Sequence, residues 1–431
     1  MIKKRCSITG LIVVMIFFLV IPSLVLAWTS NTQKGLVLWN KAKTIDGYVI
    51  FNASALKKTV LVDINGNLVR MWDGSGQEML PPKLANGELG HVLVKYGLKL
   101  QERDWDNNIV WEYNAKELKQ HHDWQKLANG NYLILGSINV PKDKIPTKFH
   151  GPGIEGEKEI KMVRPIYGDR ITEINPEGEI VWDWFAHDHL DVSKACGYSS
   201  WYSGRKAAIY YGDWTHFNAI HHCTNPGYED KIVVSNRHHN EALLIDKKSG
   251  EIIWQWGEDL LGHQHDVQMI EPGHPGHGNV LLFDNGYHSK AGISVSQVLE
   301  VDPKTSKVVW SFVGVNPTGG SLRSLHISGC QRLPNGNTFI TEGETGRLFE
   351  VTREKEIVWE YINPFYKYTQ GKGMINEVFK ARKVSPSWVP RDFELTPEMI
   401  SAMGLMGQAK SHGEAMEALV QQASQILLYT D

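Results

Sequence analysis

Histidine recurs at matching places in strand-like segments that lie far apart in the sequence. "HDWQKL" begins with His122 and "HDVQMI" with His265, each five residues before the apolar residue that precedes a turn. "HFNAI" places His216 at a matching strand start, and "SGCQRL" places Ser328 at the same position. Imidazole acts as a nucleophile, a proton carrier or a metal ligand. These positions therefore indicate a reactive site.

Arg237, in "VVSNRHH", adds a permanent cation to this set. A guanidinium group is unfavourable beside a divalent metal ion and favourable beside an anionic substrate. No short ligand spacing such as H-E-x-x-H accompanies the histidines. The set therefore favours an oxyanion site without a metal or cofactor. The alternatives are zinc or copper binding by the same imidazoles, and histidines that only satisfy backbone groups.

Six copies of one repeat position these residues. Each copy has a strand of alternating apolar residues, a short polar turn and a second strand that ends in tryptophan, as in "LLIDKKSGEIIWQW" at 243–256. This pattern predicts a β-hairpin. We interpret the six tryptophans as apolar plugs between neighbouring repeats. They are Trp72, Trp111, Trp182, Trp254, Trp310 and Trp359.

A second pair of strands precedes most of these hairpins. Its turn, such as "ANGN" at 128–131, contains Asn and Gly, which tolerate positive φ. Two hairpins make a four-stranded antiparallel blade, so the sequence predicts an all-β fold, a closed six-bladed β-propeller. Because rotation about a central channel relates the blades, residues at matching positions should converge around that channel.

The predicted domain boundaries are residues 1–27 for a signal peptide, 28–385 for the propeller and 386–431 for a short, partly helical extension. Two insertions, at 141–168 and 187–214, lengthen the spacing between tryptophans. Long insertions in compact folds are often functional, and the second is rich in aromatic residues, so we expect it to roof a site. The segment "INEVFKARKVSP", which Pro386 ends, is expected to supply a closing strand.

The first 27 residues predict the compartment. Three cations at residues 3–5 precede a long apolar run that ends in "VLA", which is typical of a cleaved signal peptide, with an uncleaved anchor as the alternative. We therefore expect a periplasmic or secreted protein. Loss of those cations takes the formal net charge from −3 to −6, which disfavours nucleic acid as a partner. At most one disulfide can form, with Cys196 and Cys223 as the candidate pair because both flank loops, whereas Cys330 lies in a strand-like run. The sequence does not decide whether this disulfide forms.

At these residues the sequence resembles the bacterial arylsulfate sulfotransferase family. The resemblance runs from about residue 40 to about residue 385, and its motifs are specific in combination. They are "DWTHFNAI", "SNRHHNEALLIDKKSGEIIWQWG", "GHQHD" with "NVLLFDNG", and "RLPNGNTFITEGETGRLFEVT". The resemblance implies a six-bladed periplasmic propeller that moves a sulfuryl group from one phenol to another through a sulfated histidine, without a nucleotide sulfate donor.

The resemblance also implies a role for each matching residue. The nucleophilic histidine falls on His265, and the arginine falls on Arg237. The supporting residues, which are two histidines, an asparagine and a hydroxyl residue, fall on His122, His216, Asn218 and Ser328.

The expected function is an aryl sulfotransferase that acts on aryl sulfates and phenols with ping-pong kinetics. Two alternatives stay open: an aryl sulfate hydrolase that uses water at the same histidine, and a propeller that binds a partner without catalysis. The sequence decides neither the oligomeric state nor which of His122 and His216 protonates the departing phenolate.

Overall fold

The computed structural model describes residues 34–82, 89–198, 208–288, 295–314, 321–370, 373–390 and 399. The predicted signal peptide, and nearly all of the predicted extension beyond residue 390, lie outside these residues. Six antiparallel sheets follow one another along the described chain, four strands in each with a fifth strand in one of them. The protein is an all-β, six-bladed propeller with very little helix, as the sequence predicts.

Blades 2 and 3 are each built from one stretch of the chain, and one stretch supplies three of the four strands of blade 1. Blade 1 contains β2 (Tyr48–Ala53), β3 (Lys58–Val62) and β4 (Leu68–Asp73). Blade 2 contains β5 (Ser75–Met79), β6 (Val92–Tyr96), β7 (Lys99–Arg103) and β8 (Ile109–Asn114). Blade 3 contains β9 (Trp124–Lys126), β10 (Tyr132–Asn139), β13 (Tyr167–Ile174) and β14 (Ile180–Phe185).

The last three blades repeat this arrangement. Blade 4 contains β15 (Phe217–Cys223), β16 (Lys231–Asn236), β17 (Glu241–Asp246) and β18 (Ile252–Trp256). Blade 5 contains β19 (His265–Met269), β20 (Val280–Asp284), β21 (Gln297–Asp302) and β22 (Lys307–Phe312). Blade 6 contains β23 (Gly329–Arg332), β24 (Thr338–Glu342), β25 (Arg347–Val351) and β26 (Ile357–Ile362).

Small elements decorate the blades. The first insertion carries the hairpin β11 (Phe149–Gly151) and β12 (Ile154–Lys158), and a second hairpin, β27 (Lys367–Thr369) and β28 (Gly373–Ile375), follows blade 6. The helix α1 covers only Ala186–His189. Short 3-10 turns cover Lys142–Lys144, Ala208–Tyr211, Gly343–Thr345 and Pro386–Trp388. Within the described ranges no helix is both long and apolar enough to cross a membrane.

Strands from both ends of the described chain close the propeller. The predicted closing strand is confirmed as β29 (Ala381–Val384), which pairs with β2 as the innermost strand of blade 1. The sequence did not predict β1 (Gly35–Trp39), which pairs with β26 as a fifth, outermost strand of blade 6. Blades 1 and 6 therefore share segments that lie far apart in the sequence, and this arrangement joins the ends of the ring.

The six repeat tryptophans have the structural role that the sequence predicts. Each donates its indole N–H to the next blade around the ring, at distances of 2.8–3.1 Å. Trp72 of blade 1 reaches Asp104 O in blade 2, and Trp359 of blade 6 reaches Ile64 O in blade 1. The tryptophans therefore fix the order and rotation of the blades by packing and by hydrogen bonds.

The candidate disulfide between Cys196 and Cys223 does not form. Cys196, Cys223 and Cys330 are all buried free thiols. Cys196, in the second insertion, lies 3.4 Å from His263 Nε2, whereas Cys223 ends β15 and packs among apolar residues of blades 4 and 5. The two thiols that the sequence paired therefore have separate surroundings. Cys330 lies inside β23, as its strand-like context predicts.

Candidate active site

A cavity of about 310 Å³ lies where the inner strands of all six blades begin. Four of the predicted residues line it together: His122 from blade 3, His216 and Arg237 from blade 4, and His265 from blade 5. The rest of the lining is Ser75, Gly76, Glu78, Leu93, Lys95, Gln120, Trp124, His326, Ile327 and Phe379. These four side chains therefore converge on one cavity, as their matching positions in the repeats predict.

The surroundings of His265 fix its tautomer. Its Nδ1 lies 2.7 Å from Asn285 Oδ1 and 3.1 Å from His263 O, both of which are acceptors, so Nδ1 carries the proton. Its Nε2 accepts a hydrogen bond from the Ile327 backbone N–H at 3.2 Å. The lone pair of a neutral imidazole is therefore on Nε2, and Asn285 holds the ring in this orientation.

Two of the cavity histidines are held in the neutral form. Burial holds the pKa of His265 well below its usual range, and the Arg237 cation lowers it further, although the bond to Asn285 opposes the shift. Burial also lowers the pKa of His122, with a smaller contribution from His216. Near neutral pH, both rings are therefore unprotonated. A neutral imidazole is a nucleophile, whereas an imidazolium is not.

His216 has a carboxylate partner that the sequence analysis did not identify. Its Nδ1 lies 2.7 Å from Asp213 Oδ2, and its ring centroid is 4.9 Å from that of His122. Burial raises the pKa of Asp213, but His216 and His238 outweigh that effect and hold the pKa below its usual range. An ionised Asp213 stabilises positive charge on His216. This carboxylate contact distinguishes His216 from His122, whose Nδ1 lies 2.8 Å from His121 Nδ1.

The same carboxylate offers a geometry that a metal ion could use. Within the described ranges, Asp213, His216 and His238 place one ligand atom each within 4.8 Å of the others. The His238 ring is completely buried, and its Nδ1 lies 3.2 Å from Asp213 O. Hydrogen bonds account for these contacts, and the Arg237 charge lowers the pKa of both His238 and Asp213. A cation this close disfavours a bound divalent ion.

The two predicted substrate-binding residues lie behind the cavity and do not line it. Asn218 is buried, and its Nδ2 donates to Gln264 O at 2.8 Å, next to the nucleophile candidate in the chain. Ser328 is buried, and its Oγ accepts a hydrogen bond from Gly343 N at 3.0 Å. In this conformation, Asn218 supports the start of β19 and Ser328 supports the loop after β24.

Backbone strain marks the entry to the inner strands. His122, His216, Asp266 and Ile327 all have φ between 51° and 53°, in the left-handed region that non-glycine residues rarely occupy. Such positions cost free energy and cluster at functional sites. Here each one lies at or near the start of an inner strand, and His122, His216 and Ile327 line the cavity.

The described part of the second insertion contributes to the site from behind the cavity, and the predicted roof stays a prediction. None of its described residues lines the cavity. It supplies Asp213 behind His216, and its Trp214 packs in a core shared by blades 3 and 4. Residues 199–207 of this insertion lie outside the described residues.

Comparisons with known proteins bear on the family and on the fold. Among curated proteins, no sequence matches the chain significantly. Similar solved structures include a protein of unknown function from Bacteroides caccae, at 12% identity over 79% of this chain and 99% of that one, with a TM-score of 0.46. A streptogramin B lyase structure is 12% identical over 82% and 94% of the two chains, with a TM-score of 0.40. We draw no functional inference from these distant likenesses.

The family comparison is more informative. The sequence profile of the arylsulfotransferase (ASST) family matches residues 90–364, which is well over half of the chain. The match runs from just before β6 of blade 2 to the end of blade 6 and includes all six predicted site residues. This chain therefore belongs to the arylsulfotransferase family of sulfotransferase enzymes.

Proposed function

We propose that the protein transfers a sulfuryl group from an aryl sulfate to a phenol, through a sulfated His265 and without a nucleotide sulfate donor. The observation that carries this proposal is the His265 tautomer. Its proton is held on Nδ1 by Asn285, so that Nε2 holds a lone pair, and the ring lines the same cavity as Arg237. A neutral nucleophile next to a fixed cation suits attack on an anionic sulfate ester.

In the first half-reaction, His265 Nε2 attacks sulfur, an N–S bond forms and the bond between sulfur and the aryl oxygen breaks. The departing phenolate takes a proton from His216, whose imidazolium form Asp213 stabilises. Sulfuryl transfer, like phosphoryl transfer, has a loose transition state, so catalysis is mostly positioning and stabilisation of charge on oxygen. Arg237 provides that stabilisation with its planar set of donors.

The Ile327 backbone N–H also suits this step. It donates to His265 Nε2 at 3.2 Å in the resting site. When Nε2 bonds to sulfur, this N–H loses its acceptor and lies close to the oxygens of the new sulfuryl group. A backbone donor at this place stabilises the product of attack in the manner of an oxyanion hole.

In the second half-reaction, a phenol replaces the first product in the same cavity. The phenol oxygen attacks sulfur, its proton returns to His216, and the N–S bond breaks to restore neutral His265. One product must leave before the acceptor can bind. The mechanism is therefore ping-pong, and its proton balance closes over the two half-reactions.

The kinetic prediction follows from this order. With p-nitrophenyl sulfate as donor, double-reciprocal plots at several phenol concentrations should be parallel. Intact-mass analysis without phenol should detect the addition of one sulfuryl group. Intersecting lines would instead indicate direct transfer in a ternary complex, with His265 only a general base. A rate of nitrophenol release that does not depend on the phenol concentration would indicate a hydrolase. Absence of nitrophenol release would favour a propeller that binds a partner without catalysis.

Chelation separates this mechanism from metal catalysis. Incubation with EDTA should leave the rate unchanged, because Arg237 and imidazoles hold the sulfuryl oxygens in our proposal. Loss of activity that zinc or copper restores would instead assign a metal to Asp213, His216 and His238.

Asp213→Asn tests the proton-transfer step. The variant removes the charge that stabilises the His216 imidazolium, so kcat should fall by about a hundredfold. Asp230→Asn is the matched control, because Asp230 pairs with His222 at 3.0 Å outside the cavity. A kcat in Asp213→Asn within about twofold of the wild type would contradict the role of His216.

We further propose that the protein works outside the cytoplasm, as its amino-terminal sequence predicts. Its partners would be small aryl sulfates and phenols, with no nucleic acid. Western blotting of osmotic-shock and membrane fractions tests the compartment. Retention in the membrane fraction would favour the uncleaved anchor.

A further inference from the structure

Glu78 is a cavity residue for which the proposed reaction has no use. It lies on β5 of blade 2 and lines the cavity with its strand neighbour Leu93. Within the described ranges, its carboxyl group makes no hydrogen bond. Burial raises the pKa of Glu78 to about 7. Lys380 and Arg382 oppose this shift, whereas Asp123 and Asp266 reinforce it.

A glutamine occupies the matching position in three other blades. Glu78 pairs with Leu93 across its sheet, just as Gln125, Gln268 and Gln331 pair with residues of their own second strands. Those glutamines bond to the inner strand of the next blade. Gln268 donates to Cys330 O at 2.6 Å, for example. Blade 2 therefore replaces an interblade bridge with an unpaired acid that lines the cavity.

The charged groups around Glu78 are already paired with one another. Lys380 lies 3.0 Å from both carboxylate oxygens of Asp123, and Arg382 binds Asp266 with two contacts of 2.6 and 2.7 Å. These two acids and two bases cancel in formal charge. An ionised Glu78 therefore adds one negative charge that these four groups do not compensate. The cation that lines the cavity from the neighbouring strand, Lys95, donates to Gln120 O at 3.0 Å.

Glu78 and His265 lie on opposite walls of the cavity. Blades follow one another around the ring in sequence order, so blade 2 faces blade 5, which carries His265. Glu78 is also three residues beyond Ser75, which occupies the position of the ring histidines, and this separation is about 10 Å along a strand. Phe379 and Trp124 line the same cavity, and the Phe379 ring centroid lies 5.9 Å from that of His122 and 6.4 Å from that of His265.

We propose that Glu78 forms a subsite for a positively charged substituent at the far end of the phenol, so that phenolic amines are the preferred acceptors. The inference rests on the proposed function. Arg237 holds the sulfuryl end of the complex, and Glu78 binds the ammonium end. The arrangement places opposite charges at the two ends of an aromatic cavity, which matches a phenol with an alkylammonium group.

Paired acceptors test this subsite. Tyramine and 4-ethylphenol differ mainly in the ammonium group, so the ratio of their kcat/KM values reports on it. The ratio should favour tyramine by about tenfold or more in the wild type and fall by about tenfold or more in Glu78→Gln. It should also be larger at pH 8 than at pH 6, because Glu78 ionises over this range while Lys380, Arg382, Asp123 and Asp266 stay paired.

Glu177→Gln is the matched control, since Glu177 is an exposed turn residue of blade 3, and its ratio should equal that of the wild type. Equal ratios in the wild type and Glu78→Gln would overturn the subsite. Calorimetry of tyramine binding separates this failure from failure of the proposed function. Absence of transfer to either phenol would overturn the sulfotransferase proposal, whereas equal tyramine affinity in the wild type and Glu78→Gln would overturn the subsite by itself.

Discussion

His265→Ala should abolish nitrophenol release and the mass increase of one sulfuryl group, while the protein stays folded. The variant removes the Nε2 lone pair on which both half-reactions depend. Loss of a covalent nucleophile should lower kcat by on the order of 10⁴-fold or more. Stopped assays with p-nitrophenyl sulfate, followed by intact-mass analysis of the same samples, measure both effects.

His277→Ala provides the control for this experiment. His277 is exposed in the turn that follows β19, in the same blade as the nucleophile, and does not line the cavity. Its turnover and thermal unfolding should match those of the wild type. If His265→Ala keeps robust turnover, peptide mapping should find the sulfuryl group elsewhere, with His216 as the first candidate because it lines the same cavity.

The repeats explain why the sequence predicted so much of the fold and the convergence of the site. A repeat fixes both the strand pattern and the rotation that relates one blade to the next. Matching positions such as those of His122 and His265 therefore become neighbours around the channel without any knowledge of side-chain contacts. The tryptophans were predictable for the same reason, since each ends the same strand of its repeat.

Residues outside the repeat pattern could not be predicted in this way. Asp213 comes from an insertion, and its contact with His216 depends on how that insertion packs. Asn285 follows β20, and nothing in its local sequence indicates that it accepts the proton of His265. The disulfide could not be decided from the sequence because flanking loops give no distance between two thiols.

Small differences between repeats carried information that the sequence analysis missed. The inner strand of blade 2, "SGQEML", aligns with "HDWQKL" once the sheet pairing is known. The alignment shows Ser75 at a histidine position and Glu78 at a glutamine position. Ser75 and Glu78 therefore distinguish blade 2 from the blades that carry a histidine and a glutamine at these positions. Both residues lie on the wall opposite His265.

Arg237→Lys should lower kcat/KM for p-nitrophenyl sulfate by about one to three orders of magnitude. Lysine keeps the positive charge but loses the planar set of donors that matches sulfuryl oxygens. The Arg237 charge also lowers the pKa of His265, and lysine largely preserves that effect. The nucleophile should therefore stay neutral in the variant, and the lost rate should measure the geometry of the guanidinium group.

Arg170→Lys is the matched control for this substitution. Arg170 binds the Asp183 carboxylate through two nitrogens in blade 3, away from the cavity lining, so the variant loses a planar set of donors without touching substrate. Its rate should stay within about twofold of the wild type, since partly exposed ion pairs contribute little to stability. A similar small effect in Arg237→Lys would show that Arg237 is structural, and stabilisation of the transition state would then depend on the Ile327 N–H and the histidines.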